Sequence, residues 1–334
     1  MTENSNKQTS AIDLNSDQGE PLILKRLNMF TPTIPPDFLT ERPPMPKTVK
    51  IEVTNRCNLE CFYCETPYNK MKKVSIDKEF LFRLLKELKV LEVEKVGLFW
   101  LGEPLLNKEL SEYIAFAKKI GINYVFITTN GVLATPERIE RIFQSGLDSI
   151  KFSINASTRI KYKEMCGKDA FDQVIENMKT TWQIRSSSGI PSIYASSIYD
   201  PSDEKEFSRI NSIIAPYVDE HYPIQLYGNK KMVENNDEYK IVMASKKDMR
   251  SLQSMLPCWP VFILPHISCD GRVSACYYDN NKKFYMGDLN QKSFMEVWHS
   301  EEFINLRKKH LLKDVSGSVC EHCIAFAGEE CINP

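Results

Sequence analysis

The chain has 334 residues, 42% of them hydrophobic, and a formal net charge of −1 from 43 basic and 44 acidic side chains. That is enough apolar chain for one large domain plus a small one, or for two medium domains. So even a charge balance argues against a bulk nucleic-acid binder or an anionic-membrane binder, and no apolar run approaches the length of a transmembrane helix. The first residues are polar and lack the basic start and apolar core of a secretory signal. A cytoplasmic location is therefore expected, and there ten cysteines point to metal ligands or redox groups rather than disulfides.

Residues 1–47 are polar and then proline-rich, with Pro32, Pro35, Pro36, Pro43, Pro44 and Pro46 close together. They are expected to form a tail and an extended arm packed on the surface. From residue 48 to about 228 strands and helices alternate. Val49–Val53 reads as a strand. Ser75 is positioned to cap a helix whose Phe80, Leu81, Leu84, Leu85, Leu88 and Leu91 recur at three- and four-residue steps. Val96–Leu101 reads as a buried strand, and Asn107 as the cap of a helix that Gly121 stops. Tyr124–Thr128, Ile150–Ile154 and Ser192–Ile198 are further strands, with Ile224–Tyr227 a sixth. Helices are expected after Thr135-Pro136, from about Ala170 to Ile184, and from about Glu204 to Ile214. This alternation argues for a parallel sheet with right-handed crossovers. Six units are too few for an eight-stranded barrel, so periodicity alone leaves a doubly wound sheet open.

The first strand runs into Cys57-Asn-Leu-Glu-Cys61-Phe-Tyr-Cys64. A four-iron cluster takes one protein ligand per iron, so three close cysteines leave one iron open. A structural zinc site would need a fourth ligand nearby, and no His or further Cys follows within the next hundred residues. In parallel βα folds the loops at the carboxyl ends of strands build the active site, which is where this loop falls. The Cys-x3-Cys-x2-Cys run resembles that of the radical S-adenosylmethionine (radical SAM) family. The resemblance implies a partial barrel of six βα units, a SAM-binding [4Fe–4S] cluster on Cys57, Cys61 and Cys64, and SAM on the open iron. It further implies reductive cleavage of SAM to a 5′-deoxyadenosyl radical that takes a hydrogen atom from the substrate. Leu101-Gly102-Glu103-Pro104 is similar to the family's Gly-Gly-Glu-Pro motif at the SAM amino group, with Leu101 in place of the first glycine. A carboxylate suits an ammonium, and a glycine lets the backbone approach. By the same resemblance, Thr129 and Asn130 after the third strand, and Ser153 and Asn155 after the fourth, stand where SAM's ribose and carboxylate are met. As turn residues, Asn130-Gly131 have a plain structural use too. Tyr63 matches an aromatic position near the adenine, or simply packs in the core.

Residues 229–250 are charged and patternless and read as a linker; 251–334 is different. Cys258-x12-Gly271-x4-Cys276 holds a hairpin turn at Asp270-Gly271. Trp298, a short amphipathic helix over Glu301–Arg307, and Cys320-Glu-His-Cys323 follow. The order of these elements resembles the SPASM/Twitch auxiliary-cluster domain. It implies one auxiliary [4Fe–4S] cluster on Cys258, Cys276, Cys320 and Cys323, with all four irons filled. Judged without the family, a zinc site on the same cysteines is as good a reading. Cys269 and Cys331 are substitute ligands, Cys166 is expected to pack, and neither His322 nor the other histidines form a metal spacing.

The resemblance implies an oxidoreductase-type enzyme, with three readings of its function. One oxidises or rearranges a small hydroxylated molecule such as a sugar or aminocyclitol, drawing on a donor such as flavodoxin or ferredoxin, with Tyr194, Ser196 and Tyr199 near its pocket. A second modifies a peptide, by crosslinking or side-chain oxidation. The third is an electron-transfer protein on a degenerate scaffold, against which the intact triad and Glu103 argue.

Overall fold

The computed structural model describes residues 33–64, 66–67, 72–185, 189–199, 203–225, 256–277 and 284–320. Six strands run parallel in sequence order: β1 (Thr48–Ile51), β2 (Lys95–Gly97), β3 (Tyr124–Thr129), β4 (Ser149–Ser153), β5 (Ser192–Tyr199) and β6 (Glu220–Gln225). Helices α1 (Lys78–Val90), α2 (Leu110–Lys119), α3 (Pro136–Gln144), α4 (Arg159–Cys166), α5 (Phe171–Ile184) and α6 (Glu204–Ile214) fill the crossovers. Along the strands, alternate residues such as Val49, Ile51, Val125, Ile127 and Ile150 share a buried cluster with Leu81, Leu84, Leu85, Leu88, Tyr113 and Ile114 of the helices. The intervening residues, Lys50, Phe126, Thr128 and Lys151 among them, therefore face the concave side. This is the expected partial barrel. It stays open because the free edge of β1 is taken by another strand.

That strand is β7 (His266–Ile267), parallel to β1 and followed by antiparallel β8 (Arg272–Ser274) and β9 (Tyr285–Asp288). The hairpin expected at Asp270-Gly271 forms between β7 and β8, with Gly271 at φ +89°. The C-terminal strands thus continue the barrel sheet. Helices α7 (Trp259–Ile263), α8 (Phe294–Trp298) and α9 (Glu301–Leu311) pack beside them. A capping box between Ser293 and Glu296 starts α8, and the Ser300 side chain caps α9. Arg307 of α9 is fully buried with no carboxylate partner among the described residues. It donates instead to the carbonyls of Val261, Trp298 and Glu41 and stacks on the rings of Trp298 and Phe303. The Pro43 and Pro44 carbonyls accept from His299 Nε2 and Trp298 Nε1, both at 2.9 Å, so the arm's described end straps the C-terminal helices.

Several local expectations are corrected. Asp77, not Ser75, caps α1, accepting from Phe80 N at 2.8 Å, while Ser75 bridges to Thr54. Asn107 precedes α2 and turns inward, its Nδ2 donating to Val53 O at 2.9 Å while its Oδ1 accepts from Glu109 N at 2.9 Å, so one side chain serves both a buried carbonyl and the helix start. β6 begins at Glu220 rather than Ile224, and α9 continues to Leu311. α4 is unanticipated. It carries a single buried pair, Tyr162 and Cys166, among charged residues, so it lacks the apolar stripe that announces the other helices. Thr158 caps it, and Gly167 ends it at φ +72°. The linker at 229–250 lies outside the described residues.

The last turn of α4 clamps the cysteine loop, with Glu60 N donating to Cys166 O at 3.0 Å and Phe62 N to Met165 O at 3.1 Å. A Cβ on Gly167 would stand 2.8 Å from the Glu60 Cβ and would also carry a left-handed backbone. Gly167→Ala is expected to destabilise the fold by about 1–3 kcal/mol in urea titration and to lower the iron retained after anaerobic reconstitution. Wild-type values for both would show that the clamp does not matter.

Candidate functional site

The three cysteines leave the carboxyl end of β1 in a loop without regular structure, so neighbouring segments supply its hydrogen bonds. Asn55 links to Val74 and Lys72, the Arg56 carbonyl accepts from Glu103 N at 2.8 Å, and the Asn58 carbonyl accepts from Lys168 Nζ at 2.6 Å. Cys57, Cys61 and Cys64 are each half-buried. Burial pushes the Cys57 thiol up to about 12, with smaller contributions from Glu103, Cys61 and Cys64. The three sulfurs therefore lie near one another, and a bound cation would offset the cost of ionising them. Among the described residues no three or more His, Cys, Asp or Glu converge tightly enough to hold one ion. Three thiols on one loop suit a cluster in which each thiolate meets its own iron.

Gly102 is the point of closest backbone approach. A Cβ there would lie 2.0 Å from Thr54 O and 2.7 Å from Arg56 O, so no larger residue fits. Beside it Glu103 is buried, and burial raises its carboxyl to about 6, leaving it ionised at neutral pH. One oxygen accepts from Leu105 N at 3.0 Å and Thr129 Oγ1 at 2.7 Å, the other from Asn130 N at 2.8 Å. Glu103 thus ties the end of β3 to the one-turn helix Pro104–Leu106, in which Pro104 is buried. Asn130 reaches the cysteine loop, its Nδ2 donating to Asn58 Oδ1 at 2.8 Å and lying 3.8 Å from Cys57 Sγ. Asn155 Nδ2 donates to the Tyr63 hydroxyl at 2.6 Å, while its Oδ1 accepts from Ile198 N at 2.9 Å. Ser153 is half-buried at the end of β4 on the concave side, opposite Ser196 of β5. The sequence-predicted polar residues are therefore gathered at one end of the sheet around the cysteine loop.

Three further residues join them. Thr66 accepts from Cys64 Sγ at 3.2 Å and donates to Leu101 O at 3.1 Å. Asn177 of α5 donates to the carbonyls of Gly131 and Val132. Cys166 is buried, as expected, with its thiol close to Cys61, Tyr63 and Tyr162. Only its place at the end of a capped segment, four residues after Tyr162, hinted at this in sequence.

In the C-terminal region Cys258 precedes α7, its N–H donating to His310 Nδ1 of α9 at 3.2 Å. Cys276 is half-buried and Cys320 buried, their N–H groups donating to Ser274 Oγ and Ser318 Oγ. Cys323, Cys331 and His322 lie outside the described residues. Cys269 is engaged with Glu52, just past β1, its N–H donating to Oε2 at 3.2 Å. Tyr277 sits between the two cysteine groups, its carbonyl accepting from Trp100 Nε1 at 2.7 Å and its hydroxyl feeling Cys64. No helix among the described residues is long and apolar enough to cross a membrane.

Residues 51–181 match the profile of the Radical SAM superfamily, and residues 258–324 that of the SPASM iron–sulfur cluster-binding domain. An uncharacterized protein of Methanocaldococcus jannaschii is 33% identical over 190 residues, 55% of this chain and 60% of its own length. A probable GTP 3′,8-cyclase of Saccharolobus islandicus is 34% identical over 132 residues, 40% of this chain and 42% of its own. The chain thus spans between two fifths and three fifths of these relatives' length. Among solved structures the fold is similar to BtrN in complex with AdoMet and 2-DOIA, with a TM-score of 0.53 at 18% identity over 80% of this chain and 87% of that one. It is also similar to Streptococcus suis SuiB bound to the precursor peptide SuiA, with a TM-score of 0.64 at 14% identity over 87% and 76%. A third likeness is anSMEcpe with bound AdoMet, with a TM-score of 0.60 at 14% identity over 79% and 80%. The chain belongs to the radical SAM superfamily, carries a C-terminal SPASM domain, and has as cofactors SAM, a SAM-binding [4Fe–4S] cluster and an auxiliary iron–sulfur cluster.

Proposed function

We propose that the chain is a cytoplasmic oxidoreductase-type radical SAM enzyme that dehydrogenates or rearranges a small hydroxylated molecule such as a sugar or aminocyclitol. The observation that carries this reading is the gathering of Cys57, Cys61 and Cys64 against Glu103, Thr129, Asn130 and Asn155 at the carboxyl ends of β1–β4. When bound, the cluster and SAM supply a hydrogen-abstracting 5′-deoxyadenosyl radical. Cys57, Cys61 and Cys64 hold that cluster. Glu103, ionised and shielded from water, receives the SAM ammonium on the lone pairs its protein donors leave over. Gly102 and Pro104 keep the backbone close, Thr129, Asn130, Ser153 and Asn155 present hydroxyls and amides to the ribose and carboxylate, and Tyr63 stands at the adenine. Residues 48–228 form the barrel unit and 251–334 the auxiliary unit. In the latter, Cys258, Cys276, Cys320 and Cys323 hold a single, fully ligated [4Fe–4S] cluster, an acceptor for the second electron of a dehydrogenation. The electron donor is a small redox protein of the flavodoxin or ferredoxin kind. The fold likeness to BtrN, crystallised with 2-DOIA, supports a small-molecule substrate. A peptide substrate is the second reading, supported by the likeness to SuiB bound to its precursor peptide.

Anaerobic reconstitution followed by SAM and dithionite tests both parts of this reading. About eight irons per chain and release of 5′-deoxyadenosine are expected. Cys61→Ala is expected to abolish 5′-deoxyadenosine formation and to leave about four irons; wild-type SAM cleavage by this variant would end the reading. Cys320→Ala is expected to lose about four irons as well, while SAM cleavage persists. Full iron loading of that variant would remove Cys320 from the auxiliary site.

A further inference from the structure

Two lysines on the concave face of the sheet have no counter-charge among the described residues. Lys50 lies on β1 and Lys151 on β4, three strands apart on the same concave face, and the charge of Lys151 acts on Lys50. Both residues are half-buried. No carboxylate among the described residues lies within ion-pair distance of either one. Glu52, two residues on and just past β1, is turned to Cys269 instead. Aromatic faces are their main company. Lys50 Nζ lies 4.7 Å from the Tyr277 ring and 5.1 Å from Phe99, and Lys151 Nζ 5.6 Å from Tyr222.

Burying two like charges on one face is costly unless something of opposite sign completes the site. Burial, and for Lys50 the neighbouring Lys151, lower the two ammonium groups to about 7 and about 8. Other polar groups in this region also lack partners among the described residues. His266, paired with Lys50 across β1 and β7, is fully buried with both ring nitrogens unpaired, and the Ser196 hydroxyl of β5 is likewise buried and unpaired. Lys151 stands two residues before Ser153, about 7 Å along the strand from the end where the SAM residues gather. An anion placed on these lysines therefore holds the rest of its molecule toward the cysteine loop.

We propose that Lys50 and Lys151 form the anion-binding floor of the substrate lumen, and that the substrate carries an oxyanion, a phosphate or a carboxylate, in addition to its hydroxyl groups. This rests on the small-molecule reading above and narrows it. A free ammonium, as in an unmodified aminocyclitol, would meet two like charges in this lumen, whereas a sugar phosphate or sugar acid would meet two opposite ones. The lysines bind and orient; no bond is made or broken at them.

The test is calorimetric titration of the reconstituted, SAM-loaded full chain, without reductant, with inorganic phosphate and separately with succinate. At least one is expected to bind, and which one separates a phosphate ligand from a carboxylate. Lys50→Met and Lys151→Met are each expected to weaken that binding about tenfold or more, and Lys50→Arg to retain it. As a measurement that needs no variant, acetic anhydride labelling of the wild-type chain is read by mass spectrometry. The bound anion is expected to protect Lys50 and Lys151 but not surface lysines such as Lys119. Failure of both anions to bind, equal binding by both Met variants, or absence of protection would overturn the proposal. Because no reductant is present, such a failure leaves 5′-deoxyadenosine formation, and with it the radical SAM reading, standing.

Discussion

The loop from Asn55 to Cys64 has no secondary structure of its own, and the rest of the site depends on how that deficit is met. A buried backbone group without a partner is costly, so each segment that donates to or accepts from the loop also fixes its path. The stretch before α1 holds Asn55, the turn after β2 holds Arg56 through Glu103 N, and the end of α4 holds Glu60 and Phe62. Three crossovers of the barrel thus converge on ten residues, and the thiols are placed by backbone hydrogen bonding rather than by their own packing. Gly102 follows from this constraint, since the turn can donate to Arg56 only if nothing projects toward Thr54.

The same economy joins the two halves of the chain. A partial barrel leaves β1 with an unpaired edge, and an exposed edge is a liability. β7 covers it in parallel register, Lys50 opposite His266 and Ile51 opposite Ile267. The hairpin that carries Cys276 is therefore built onto the strand that launches Cys57, with Tyr277 and Trp100 in the seam. Arg83 and Glu87 of α1 bond the backbone at Leu289 and Phe294, and the proline arm crosses α8 and α9. The Arg307 guanidinium joins α7, α8 and the arm by donating to one carbonyl of each, which offsets part of the cost of burying it.

What could be read from sequence was what periodicity and spacing encode. The strand and helix alternation, the cysteine loop at a strand end, Gly102-Glu103 after β2, Asn130 after β3 and the hairpin at Gly271 are each local patterns, and each lies where its pattern placed it. What went unread depends on partners distant in the chain. α4 has too little apolar surface to announce itself, and its role is to offer carbonyls to a loop about a hundred residues earlier. Asn107 looked like a helix cap because nothing local shows that its amide reaches the carbonyl of Val53, 54 residues away. Cys166 looked inert for the same reason.

By itself, then, the sequence determined the chemistry available: three thiols in one loop, a carboxylate behind a glycine, and a second cysteine group behind a hairpin. Those are short-range facts, set by side-chain type and by turns of a few residues. The tertiary structure alone decided what stands opposite what. The sheet put Lys50 of β1 and Lys151 of β4 on one concave face, and adding β7 to β1 set His266 beside Lys50. The physical reason is that strand curvature and edge pairing act between residues far apart in the chain, where no local pattern records them. Burial then lowered both ammonium groups, with no carboxylate among the described residues at ion-pair distance.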